Sequence, residues 1–194
     1  MTKLGSICVY CGSSERVASR FLDAGYALGR RIGAAGVHLV YGGGGIGLMR
    51  RVAEGVAAEG GPITGIIPRH LQAREGAGAS FGETVVVESM HERKRLMAEC
   101  SDGFAVMPGG YGTLDEMFEI VTWRQLGLHR KPVVLVDLDG YWSPLVAMLD
   151  RMVEEGFVQP DARQLIQTVT GIEAVLPALE QALSPDAALD GELV

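Results

Sequence analysis

Short runs of apolar and β-branched residues recur along the chain, at Ser6–Cys11, Val37–Tyr41, Ile63–Ile67, Thr84–Glu88, Phe104–Met107, Val133–Asp137 and Ile166–Thr170. Between most of them the apolar positions fall three and four apart, as on one face of a helix. These helical stretches are Ser19–Ala35, Gly47–Ala58, Met90–Cys100, Thr113–Gln125, Ser143–Glu155 and Ile172–Leu183. The strand runs are rich in Val and Ile on both faces, which belongs to a parallel sheet covered on both sides. The pattern predicts one α/β domain over residues 1–183: a doubly wound, Rossmann-like, mostly parallel sheet with helices on both faces. Two stretches break the alternation. The segment from Arg69 to Gly82 has three glycines and little periodicity, and reads as a long loop, either a lid over a site or disordered. Residues 184–194 mix Pro, Asp and Gly without a period and read as a flexible tail.

Composition narrows the class. With 194 residues, 47% of them hydrophobic, the chain can bury a sizeable core. It has no uninterrupted run of the roughly 18 apolar residues that a membrane span needs. The first residues lead into a strand without a signal-peptide apolar region, so a cytoplasmic location is expected. A net charge of −7 argues against sequence-independent nucleic-acid binding, which needs a basic stripe. The local clusters Arg50-Arg51 and Arg93-Lys94-Arg95 suit a small phosphate better. Cys8 and Cys11 match a redox C-x-x-C only superficially, because side chains three apart on a strand point to opposite faces. The four histidines show no metal-ligand spacing, and no metal is expected.

Two glycine turns follow strands. Gly42-Gly43-Gly44-Gly45-Ile46-Gly47 contains G-x-G-x-x-G and leads into a helix. A dinucleotide site also wants an acidic residue at the end of the next strand, and here that strand ends in Ile67-Pro68-Arg69. A mononucleotide site explains the turn without the missing acid, with Gly43 and Gly44 as secondary loop contacts. Close packing of helix on strand at Gly44 and Gly47 explains the turn as well, and is compatible with binding. The second turn, Pro108-Gly109-Gly110-Tyr111-Gly112-Thr113-Leu114-Asp115-Glu116, carries more information. Pro108 stops a strand, the glycines let backbone N–H groups approach a ligand, and Thr113 can cap a helix whose positive end attracts phosphate. Thr113 and Glu116 also form a T-x-x-E capping box, which would explain the glutamate without chemistry. Upstream, helical spacing puts Arg93, Met97 and Cys100 on one stripe, so a guanidinium stands where an apolar side chain is expected. It either snorkels to solvent or meets a carboxylate or phosphate.

Met90-His91-Glu92-Arg93-Lys94 together with the Pro108–Glu116 turn resembles the LOG family, the cytokinin riboside 5′-monophosphate phosphoribohydrolases long mislabelled as lysine decarboxylases. The likeness runs from Ser6 to about Phe157, through Cys11-Gly12-Ser13-Ser14 and Tyr41-Gly42-Gly43-Gly44 to Thr122-Trp123. The resemblance implies that Arg93 and Glu116 are catalytic. It implies substrate contacts from Glu75, Met90, Lys94, Gly109, Gly110, Tyr111, Gly112, Thr113, Leu114, Asp115 and Thr122. It further implies hydrolysis of the N-glycosidic bond of a nucleoside 5′-monophosphate, no cofactor, and a homodimer or dimer-based oligomer. A general AMP nucleosidase or a non-catalytic nucleotide-binding protein of the same fold stays open.

Overall fold

The computed structural model describes residues 3–75 and 81–184. The expected tail, apart from Ser184, and residues 76–80 of the expected loop lie outside the described residues. Seven strands form one sheet: β1 (Ser6–Tyr10), β2 (His38–Tyr41), β3 (Ile63–Pro68), β4 (Glu83–Val87), β5 (Gly103–Val106), β6 (Val133–Val136) and β7 (Ile166–Val169). Their order is β4-β3-β2-β1-β5-β6-β7 and every pairing is parallel, as the apolar runs predict.

The helices are α1 (Ser19–Ala34), α2 (Gly47–Ala58), α3 (Arg69–Glu75), α4 (Met90–Glu99), α5 (Tyr111–Gln125), α6 (Ser143–Glu154), α7 (Pro160–Arg163) and α8 (Val175–Ala182). Successive strand residues serve opposite layers. Ile7, Val9 and Cys11 join the core with buried residues of α1, α2 and α8, whereas Cys8 and Tyr10 join the one with α4, α5 and α6. The cysteine pair is thereby split between the two cores, and all three cysteines are free. Burial pushes the Cys8 and Cys11 thiols well up, so both stay neutral.

Three expectations need correction. The Arg69–Gly82 segment opens with a helix, α3, rather than a loop. Its seven residues are too short to show a helical period on their own. The four-residue helix α7 carries no readable period for the same reason. Helix α5 starts at Tyr111 with Gly110 as its N-cap, so Thr113 lies inside the first turn and does not cap it. Cys100 is the exposed C-cap of α4, and the buried stripe of that helix is Arg93, Lys94, Met97 and Ala98.

The strand order positions the site. From β1 the chain steps outward through β2, β3 and β4, then returns to β5 on the other side of β1. The loops leaving β1 and β5 diverge from neighbouring strands, and a crevice opens beyond their carboxyl ends, where ligands bind in such folds.

Candidate active site

A cavity of about 580 Å³ occupies that crevice. The β1 and β5 loops are joined where the Gly12 N–H donates to the Pro108 carbonyl at 3.0 Å. The next two carbonyls are also engaged. Gly109 accepts from the Tyr141 hydroxyl at 2.7 Å, and Gly110 accepts from the Leu114 N–H at 3.0 Å in the first bond of α5. The N–H groups at the start of α5, where no intrahelical acceptor exists, face the opposite situation. Gly110, Tyr111, Gly112 and Thr113 all line the cavity. The turn thus keeps its donors and occupies its acceptors, as an anion cradle at a helix N-terminus requires.

Across the cavity stands Arg93. Ser89 begins α4 by accepting from the Glu92 N–H, and Glu92 in turn accepts from the Glu88 N–H, a reciprocal cap that fixes the helix start. One turn on, Arg93 is 6% exposed. Its Nε donates to the Ile66 carbonyl of β3 at 3.1 Å and its Nη2 to the Gly42 carbonyl at 3.3 Å. The third nitrogen, Nη1, stands 3.5 Å from Glu116 Oε1. A planar fork is being used in three directions, which an ammonium could not reproduce.

The first glycine turn now has an explanation. A Cβ at Gly42 would lie 1.8 Å from Arg93 Nη2, and one at Gly47 would lie 2.5 Å from the Ser13 backbone. The glycines make room for the guanidinium and for the β1 loop. Gly43 packs on β3, and neither it nor Gly44 lines the cavity.

Glu116 projects from the second turn of α5 and is 8% exposed. Because the helix begins at Tyr111, this carboxylate is too far along to serve as a capping-box partner, and that alternative falls. Burial raises its pKa to about 7 against the opposing pull of Arg93. A carboxyl group poised near neutrality inside a cavity can both hold and release a proton at working pH.

The remaining predicted contacts divide. Glu116 and Arg93 share the cavity with Gly109–Thr113, but Lys94, Leu114, Asp115 and Thr122 do not line it. Lys94 is buried and pairs with Asp115 at 3.0 Å and Glu119 at 3.2 Å, fastening α4 to α5 on either side of Glu116. Leu114 packs into the core beneath. Met90 sets its sulfur 3.8 Å from Arg93 Nη1. Thr122 is exposed, roughly 9 Å farther along the α5 axis than Glu116. Glu75 ends α3, and Leu71 of the same helix lines the cavity. Other cavity residues carried no sequence assignment: Gly12, Ser13, Ser14, Phe21, Met49 and Tyr141. Ser13 and Ser14 were findable, since β1 is the central strand and its carboxyl end is where such folds bind. Among the described residues, no group of His, Cys, Asp and Glu side chains is placed to hold a metal ion.

Residues 49–179 match the family described as "Possible lysine decarboxylase". A probable cytokinin riboside 5′-monophosphate phosphoribohydrolase of Oryza sativa subsp. japonica is 45% identical over 92% of this chain and 80% of its own length. A cytokinin riboside 5′-monophosphate phosphoribohydrolase of Arabidopsis thaliana is 45% identical over 93% of this chain and 84% of its own. The chain belongs to the LOG family. Among solved structures, the molybdenum cofactor binding protein of the phototrophic bacterium Rippkaea orientalis superposes with a TM-score of 0.71 at 22% identity, covering 95% of this chain and 99% of that one. That likeness establishes the shared fold. Although burial works against the Lys94 charge, the carboxylates of Asp115 and Glu119 hold its pKa above the ordinary value.

Proposed function

We propose that this LOG protein hydrolyses the N-glycosidic bond of adenosine 5′-monophosphates, N6-modified ones included, releasing the free cytokinin base and ribose 5-phosphate. The observation that carries the proposal is one cavity holding the neutral-range carboxylate of Glu116, its Arg93 partner and the free N–H donors of α5. Departure of the base leaves an oxocarbenium-like ribose, and a carboxylate stabilises that cation and orients the attacking water. The water oxygen bonds to C1′ as the C1′–N bond breaks. Glu116, ionised, takes the water proton and passes it through solvent to the departing base, which restores the carboxylate. Arg93 holds Glu116 in place and tempers its charge, while the α5 N-terminus binds the 5′-phosphate. Binding at the phosphate then positions the bond being broken. The apolar side of the cavity, with Val17, Phe21, Leu48, Met49 and Leu71, receives the base.

The test is release of free base and ribose 5-phosphate from AMP and from an N6-prenylated AMP, followed side by side. Turnover of the prenylated nucleotide at a higher kcat/KM supports cytokinin activation, equal turnover supports a general AMP nucleosidase, and no release with retained nucleotide binding supports a non-catalytic role.

The protein is further proposed to be a homodimer, as its family membership implies. On α4 and α5, Ile120 is fully in the core, and Leu96 and Trp123 are partly buried against it. Support comes from Leu126, Leu128, Met148 and Phe157, large apolar side chains that α5, α6 and the turns after them leave exposed. Light scattering at micromolar concentration is expected to give twice the mass of one chain, and a single-chain mass would refute it. No described helix is long and apolar enough to cross a membrane.

A further inference from the structure

The turn between β6 and α6 is built with more care than a connection needs. The Asp137 carboxylate accepts from the Trp142 N–H at 2.6 Å and the Ser143 hydroxyl at 3.0 Å. Asp139 is the one described non-glycine residue with positive φ, at 52°, and its carboxylate pairs with Arg20 at 2.8 Å. The Arg20 guanidinium lies 4.6 Å from the centre of the Phe21 ring, and that ring meets Tyr141 edge-on at 5.7 Å. Trp142 closes the other side, edge-on at 4.7 Å. The Tyr141 ring is oriented by these neighbours, and its hydroxyl then donates to the Gly109 carbonyl at 2.7 Å.

We propose that Tyr141 is a positioning residue for the phosphate end of the substrate: its hydroxyl occupies the Gly109 carbonyl and locks the Gly109–Gly110 peptide so that the turn presents donors rather than acceptors. The inference rests on the phosphate role proposed for that turn. On its Gly109 side this peptide lies against the Thr113 side chain, but a Cβ at Gly110 would meet nothing within 4 Å, so packing holds it at one end only. Because the peptide is trans, the Gly109 carbonyl and the Gly110 N–H point in opposite directions, and holding one sets the other. Left free, the peptide can rotate and turn a carbonyl lone pair toward an incoming anion.

The test compares Tyr141→Phe with the parent in ribose 5-phosphate binding by calorimetry and in steady-state hydrolysis of AMP and of an N6-prenylated AMP. Loss of the single hydroxyl is expected to weaken ribose 5-phosphate binding about five- to tenfold and to raise KM by a similar factor, with kcat and melting temperature unchanged. Equal binding and KM in the two proteins overturn the inference and leave the phosphate reading standing. A fall in kcat at constant KM also overturns it, since Tyr141 would then act on the reaction itself. Failure of the parent to bind ribose 5-phosphate removes the phosphate reading and this inference together.

Discussion

Replacing Glu116 by Gln will lower kcat for nucleotide hydrolysis on the order of a thousandfold, because the amide fills the same space but supplies neither negative charge nor a proton acceptor. The same variant carries an independent check on stability. Folding raises this carboxyl from 4.5 to about 7, so between those values the folded protein holds a proton that the unfolded chain has released. Stability therefore falls as pH rises through that window, by up to about 3 kcal/mol, and the loss persists above it. The Gln side chain does not titrate. Thermal melts of both proteins from about pH 4 to pH 8 should show the variant gaining on the parent as pH rises, with the gain concentrated between the two values. Near-parental turnover combined with a pH-independent gap in melting temperature would make Glu116 a structural residue only.

The second large effect concerns the substrate's far end. The kcat/KM for a nucleoside 5′-monophosphate is expected to exceed that for the free nucleoside by roughly a thousandfold, equivalent to about 4 kcal/mol of transition-state positioning. The donors of Gly110–Thr113 have no use for an uncharged hydroxymethyl group, whereas a dianion meets both the N–H array and the helix dipole. Comparable values for the two substrates would take the phosphate out of the mechanism.

The sheet was legible because its five inner strands are apolar on both faces, and the helices facing it show their period over eight or more residues. α3 and α7 were not, since seven and four residues are too few for a period to emerge. Arg93 showed itself as a charge on an apolar stripe, and the structure supplies the reason: two backbone carbonyls and a carboxylate receive its fork. Glu116 could not be separated from a helix cap while the start of α5 was uncertain by two residues, because a shift of that size decides whether the carboxylate can reach the end. Gly42 and Gly47 were misleading for a related reason. Their partners, Arg93 and Ser13, are distant in the chain, and a glycine required by close approach looks the same in sequence as one required by a ligand. Tyr141 had no local signal at all, as its contact with Gly109 depends on where β6 sits beside β5.

Because the chain reverses at β1, the two faces of the sheet bring different things to the cavity. α4 and α5, on one face, carry Arg93 and Glu116, while Phe21 of α1 and Leu48 and Met49 of α2 reach it from the other. The reacting groups and the wall that meets the base are thus rooted in separate hydrophobic cores. Substitutions at Phe21 or Leu48 are expected to reshape the pocket for a different purine substituent with little effect on the spacing of the carboxylate and guanidinium, whereas Met49 packs beside Gly42, which holds Arg93. A lineage with this architecture can diversify the nucleobase it accepts while the bond it cleaves stays constant.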